Sequence, residues 1–338
     1  MPHLPAHTPY DGSSTPFTIG LKPLDPPAWI EVDGYLEAQL AEKDRLEAEH
    51  GTTVFAAEPD SEDAQREVLA LLADHLPARF PEIYSRAGDT MRVCSSGRAV
   101  DLAKPGVPPL KTAARLVQED LVLMRRGEEG WRICAASLSF PSSWSLAEKF
   151  GRPLREIHRP VPHFGPGTRS DDLIERMFDK LQGQLVERFN WSLQPDAELY
   201  KPLSSMQRND RAEKAASRFP GIDAASVAFI RVERQTVRKL PVSGDILFTI
   251  RIHLDPMAAL RAHPGRAKIA ASFATQLAAL GRPELDYKGL AADRDRLVAA
   301  LETIAAARPV YRTGPFIVAA IRVSNPAKPC VPPVQESS

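Results

Sequence analysis

Two stretches of this sequence change from helical to strand periodicity around a short turn, and they limit the folds open to the chain. Leu116 to Met124 and Trp131 to Phe140 are apolar runs on either side of the charged, Gly-containing segment Arg125–Gly130. Val227 to Leu240 and Asp245 to Leu254 flank Pro241–Gly244 in the same way. Runs of that length around a short turn predict two antiparallel hairpins. Elsewhere the period is helical. The spacing of Val32, Leu36 and Leu40 predicts a helix from about Ala28 to His50, and Ser61 caps a second one carrying Val68, Leu69, Leu72 and Leu76 that ends near Pro77. Ser170 is placed to cap a long helix to about Phe189, with Asp171 and Asp172 in its first turn and Ile174, Met177, Phe178, Leu181 and Leu185 on one face. Asp255–Pro256 opens a short helix, Ala-rich helices follow at about 266–280 and 290–307, and Phe316 to Val323 reads as a last strand. Hairpins with segregated helices predict an α+β fold rather than a doubly wound sheet. Residues 1–20, rich in Pro, Ser, Thr and His, read as a flexible arm, 21–323 as one domain, and 324–338 as a tail.

Composition narrows the function by exclusion. Lys plus Arg total 43 and Asp plus Glu total 43, so the formal net charge is zero and nothing draws the chain to nucleic acid or an anionic membrane. No apolar run is long enough to span a bilayer, and Met1 to Thr18 lacks the basic head and apolar stretch of a signal peptide, so a cytoplasmic location is expected. Three scattered cysteines, Cys94, Cys134 and Cys330, make neither an even disulfide framework nor the clustered pairs of a zinc or iron–sulfur site. The glycine-rich dinucleotide and phosphate fingerprints, the H-E-x-x-H zinc motif and the G-x-S-x-G elbow are all missing. A cofactor would have to be held by some less obvious constellation.

Three segments could form one. In Ser139 to Pro162, His158 follows Ile157 and precedes Pro160 and Pro162. Prolines stiffen such a loop, and a stiff loop can hold an imidazole in the one orientation an axial haem ligand needs. A partly buried histidine bonded to backbone explains the same residues, and His163 competes for any ligand role. Trp144 and Phe150 could wall a flat cofactor or simply pack the core. In Phe229 to Pro241, alternation along a strand puts Arg231, Glu233 and Gln235 on one face and Val232, Arg234 and Thr236 on the other. Such a polar face is ordinary in water and costly beside a cavity unless its groups are paired with each other or with a ligand. The third segment, Arg188-Phe-Asn-Trp191, falls at the end of the expected long helix, where Arg188 and Asn190 could hold a carboxylate or only complement the helix dipole.

Taken together these blocks resemble the haem-dependent oxidative N-demethylase alpha-subunit family. The likeness is carried by Gly20-Leu-Lys-Pro-Leu-Asp25, Trp29-Ile-Glu-Val-Asp33, Phe140-Pro-Ser-Ser-Trp144, Lys149-Phe-Gly151, Ile157-His-x-Pro-Val-Pro162, Arg188-Phe-Asn-Trp191 and Arg231-Val-Glu-Arg-Gln-Thr236, in that order over about residues 20–255. The resemblance implies a PAS-like antiparallel sheet cradling one b-type haem. It implies O₂-dependent demethylation of dimethylamine, with electrons that originate on NADPH and arrive through FMN and 2Fe–2S on a reductase subunit. Released formaldehyde would pass to tetrahydrofolate on another partner.

On this likeness His158 is the proximal iron ligand, with Trp144, Lys149, Arg188, Asn190, Trp191 and Arg234 around the cofactor. Glu233 is expected to hold the substrate ammonium and its proton, Arg231 to stabilise developing negative charge, and Gln235 to complete the catalytic face. A haem-binding gas sensor or carrier without turnover is the alternative from another class, and a subunit that has lost its haem is a remoter one.

Overall fold

The computed structural model describes residues 4–307, save positions 220 and 222. Its centre is a seven-stranded antiparallel sheet. In chain order the elements begin with β1 (Lys22–Pro23), α1 (Leu36–His50), β2 (Phe55–Ala57) and α2 (Glu62–Arg79). A small three-stranded sheet of β3 (Tyr84–Ala87), β4 (Thr90–Val93) and β5 (Arg98–Asp101) follows, then α3 (Pro109–Ala114). The first expected hairpin is β6 (Asp120–Gly127) and β7 (Gly130–Ser137). Three helices come next: α4 (Leu146–Lys149), α5 (Leu154–His158) and α6 (Arg169–Lys180). After β8 (Leu185–Gln194), α7 (Ser205–Lys214) and α8 (Ala224–Val227), the second expected hairpin is β9 (Phe229–Lys239) and β10 (Ile246–Pro256). α9 (Arg266–Ala278), α10 (Arg282–Lys288) and α11 (Arg294–Ala306) close the described chain. The large sheet runs β1-β8-β9-β10-β6-β7-β2. An α+β architecture is what the hairpins predicted; the strand expected at Phe316–Val323 and the tail lie outside the described residues.

Three expectations need correction. The long helix does not reach Phe189. Thr168, not Ser170, caps it by accepting the Asp171 amide, and it stops at Lys180. Gly183 then takes a positive φ of 63°, which turns the chain into β8. The Arg188–Trp191 block is therefore a strand paired to β9 along its length, with Arg188 opposite Gln235 and Asn190 opposite Glu233. The first helix starts at Leu36 rather than Ala28, because Pro26–Ala28 is a short 3₁₀ turn and Glu31 to Asp33 form an irregular stretch tied to β10 by their side chains. Asp33 is held there by Arg251, 2.6 Å away. Residues 4–20, read as a flexible arm, lie against the molecule: Tyr10 is fully buried and stacks on Phe273 with ring centroids 4.2 Å apart.

The sheet separates the interior into two layers. On one face, α2 and α3 bury Leu72, Leu76, Leu110 and Val117 with Leu121 and Leu123 of β6. On the other, α5 and α6 cover β6, β7, β9 and β10 with Ile157, Phe164, Ile174 and Phe178. Burying a side chain of this size is worth about 1.5–3 kcal/mol, so each layer holds its helices firmly to the sheet. A third cluster joins α9 and α11 to the ends of β8 and β9 through Phe273, Leu277 and Leu297.

Candidate functional site

Between the sheet and its cover of α4, α5 and α6 lies a cavity of about 670 Å³. That is within the roughly 300–1,000 Å³ common for small-molecule and cofactor sites. Its walls are largely apolar, from Phe17, Met124, Leu154, Phe178, Val237 and Phe248 among others. Alternate residues of β8 and β9 contribute one set of polar groups: Arg188, Asn190, Ser192 and Gln194 on the first, Glu233 and Gln235 on the second. A strand turns every second side chain to the same face, so two paired strands present one compact polar patch.

Seven residues singled out from the sequence meet at this cavity: His158, Trp144, Lys149, Arg188, Asn190, Glu233 and Gln235. His158 is the last residue of α5 rather than part of an extended loop, and its ring meets Phe164 edge-on at 5.9 Å. Burial pushes its pKa down to about 3, helped by the nearby charges of Lys149 and Arg188. The imidazole is thus neutral at physiological pH, the form that binds a metal. His163 is two-thirds exposed, bonded to Glu284 at 3.1 Å, and does not line the cavity.

Lys149 and Arg188 are close enough to act on both His158 and Glu233 electrostatically. Burial lowers the Lys149 pKa to about 7, with Arg208 adding to the shift and Glu233 opposing it. Its ammonium lies 4.5 Å from the Trp144 ring centroid. Arg188 has its Nε shut off from solvent without a partner. Buried cations in such a state call for an anionic ligand. Glu233 is held in place from three sides: Gln235 donates to Oε2 at 3.0 Å, Asn190 to the same oxygen at 3.4 Å, and the Arg231 Nε stands 3.7 Å from Oε1.

The other three candidates lie elsewhere. Arg231 shares the cavity face of β9 but is completely buried behind it, donating to the carbonyls of Phe140 at 2.6 Å and Leu199 at 3.3 Å. Arg234 points to the opposite face, where it binds Glu187 at 2.8 Å and the carbonyls of Ala28 and Trp29. Alternation places it there, so a cofactor-binding role beside Glu233 does not fit. Trp191 alternates away from Arg188 and Asn190 for the same reason, packing edge-on against Phe273 at 4.8 Å. Phe150 does not line the cavity either.

Several lining residues escaped the sequence reading. Tyr287 and Lys288, at the end of α10, close one wall with Arg211 and Arg218. Burial raises Tyr287 to about 12 and lowers Lys288 to about 8. No local pattern marks them. Ser192 and Gln194 had a signal, the polar–apolar alternation from Arg188 onward, which becomes visible once that block is read as a strand.

Residues 20–298 match the family described as haem-dependent oxidative N-demethylase, alpha subunit-like. The chain belongs to this family. The match covers all of the large sheet and every cavity-lining residue except Phe17 and Ile19. Haem dependence is thereby a family property, and the cavity suits the group on its own evidence. It offers a neutral imidazole, an apolar slot, and in Arg188 and Lys149 two cations suited to the carboxylates that haem carries. The alpha-subunit description implies further subunits. Among the described residues no helix is long and apolar enough to cross a membrane.

Proposed function

We propose that this chain is the haem-binding catalytic subunit of an oxidative N-demethylase acting on a small secondary amine such as dimethylamine. Haem, when bound, would supply the O₂-activating oxidant, while the protein supplies ligand, polarity and shape. O₂, two electrons and two protons would convert the secondary amine to the primary amine, formaldehyde and water. The antiparallel sheet with its helical cover supports a PAS-like reading of the fold. His158 would hold the iron, with Arg188 and Lys149 meeting the haem carboxylates and Trp144 walling the slot.

The observation that carries the reading is Glu233. It is a carboxylate in a mostly apolar cavity, held by two amides and by the Arg231 guanidinium behind it, and not bound directly to Lys149 or Arg188. A secondary amine is an ammonium ion at neutral pH, and entering such a cavity without a counter-charge costs several kcal/mol. Glu233 would receive the ammonium, orient its methyl groups, and take its proton. Gln235 and Asn190 fix the carboxylate rotamer, and Arg231 acts from behind as a positioning residue. We assign electron delivery to a flavin and 2Fe–2S reductase subunit using NADPH, and formaldehyde capture to a tetrahydrofolate-binding subunit, all in the cytoplasm.

Titrating the haem spectrum with dimethylamine tests this. Glu233→Gln keeps the shape and removes the charge. Loss of a charge-assisted contact worth about 1.5–3 kcal/mol should weaken amine binding about 10- to 150-fold at unchanged haem content. Equal affinities in the two proteins would move the gas-sensor alternative ahead of the enzyme.

A further inference from the structure

On the sheet face away from the cavity, three side chains from distant parts of the chain converge. They are His7 of the N-terminal segment, Glu31 of the irregular stretch before α1, and His253 on β10. The His7 Nε2 lies 2.9 Å from Glu31 Oε1, and the His253 Nε2 lies 2.9 Å from Oε2. One ligand atom from each residue can be chosen so that all three fall within 4.8 Å of one another. We propose that this cluster binds a divalent first-row transition ion of the zinc class, at a second site separate from the haem cavity.

The chemistry of the donors carries the proposal. Two imidazoles and one carboxylate suit a borderline ion and are poor ligands for calcium or magnesium, which take oxygen. Nitrogen and oxygen donors at zinc's usual bond lengths stand about 3.3 Å apart around a tetrahedral ion, so the donors, which lie within 4.8 Å of one another, would draw together on binding by rotation of the partly exposed His7 and Glu31 side chains. The neighbouring cation is accounted for. Arg234 approaches Glu31 to 3.5 Å but is bound more closely, at 2.8 Å, by Glu187. The carboxylate of Glu187 offsets Arg234 and leaves the charge of Glu31 for the ion.

Access also fits. His253 is nearly buried, whereas His7 and Glu31 are each about a quarter exposed (25% and 28%), so an ion could enter from solvent and keep water on its open side. Ligation would stake the N-terminal segment to the sheet. That segment also delivers Phe17 and Ile19 to the cavity wall, so the ion would steady one side of the haem site from a distance.

The test uses the full haem-loaded chain, stripped of loose metal with a chelator and titrated with Zn²⁺. Zinc is counted by elemental analysis, which haem iron does not confuse. One zinc per chain at micromolar affinity or tighter is expected, with a rise in Tm on adding Zn²⁺. Glu31→Gln and His253→Ala should lower the affinity at least tenfold. Because His253 is buried and its variant could misfold, His7→Ala at the exposed edge is the companion, with circular dichroism to confirm the fold. A folded His7→Ala that binds zinc as tightly as wild type overturns the proposal, as does a wild-type chain that retains none.

Discussion

Replacing Arg188 by Met should move two properties of the protein in opposite directions. The Arg188 Nε has no partner and no access to solvent, and burial drives the guanidinium pKa down against the pull of Glu233. An unsatisfied buried polar group costs about 1–3 kcal/mol. Arg188 lines a cavity that can admit water, so the low end, about 1 kcal/mol, applies here. Methionine keeps much of the apolar stem and removes the charge. The haem-free Arg188→Met chain should therefore be more stable than wild type by about 1 kcal/mol in a denaturant titration. Haem should bind less well, because a charge-assisted contact to a haem carboxylate is lost. At about 1.5–3 kcal/mol that contact is worth about 10- to 150-fold in affinity, read by haem transfer to a competing apoprotein. A structural arginine behaves differently. If Arg188→Met destabilises the haem-free chain and leaves haem affinity unchanged, the assignment of Arg188 to the cofactor is refuted.

Two further outcomes concern His158. His158→Ala should lose the wild-type Soret band or hold haem weakly with a shifted maximum, whereas His163→Ala should leave the spectrum unchanged; the reverse pattern would mean the wrong histidine was chosen. In the haem-free chain, His158 takes up its proton at about pH 3 rather than the ordinary 6.5. The unfolded chain then binds more protons throughout that window. The neutral imidazole's contribution to stability is thus fully present above pH 6.5 and lost progressively as pH falls toward 3. The stability gap between wild type and His158→Ala should shift against wild type between pH 7.5 and pH 4.5, and a gap independent of pH would contradict the burial of that ring.

How far the site was legible in the sequence depended on which periodicity was visible. The two hairpins stood out because each pairs apolar runs around a short turn, and alternation along Phe229–Lys239 put Glu233 and Gln235 on the cavity face. The same alternation puts Arg234 on the opposite face, against the cofactor role that its place in the family block implies. The Arg188–Trp191 block was misread because Leu181 and Leu185 continue the helical spacing of Ile174 and Phe178, although the backbone is already extended at Leu181 and turns at Gly183. Read as a strand, it yields Arg188, Asn190, Ser192 and Gln194 together and sends Trp191 to the other side. Arg231 was rightly placed on its face but lies behind Glu233, a matter of depth that alternation does not record. Tyr287 and Lys288 reach the cavity through the packing of α10, which no local pattern encodes. The N-terminal segment looked free because it lacks a core of its own, yet Tyr10 and Phe17 find theirs in other parts of the chain.

The proposed function requires that this cavity turn over an amine rather than merely bind a gas. It is tested most directly by supplying the haem-loaded chain with a chemical reductant that delivers at least two electrons per haem, admitting O₂ in the presence of dimethylamine, and measuring formaldehyde per haem. Formaldehyde in proportion to haem, absent from His158→Ala and sharply reduced in Glu233→Gln, is the predicted result. A chain that binds O₂ reversibly, returns to its starting spectrum and releases no formaldehyde would contradict it.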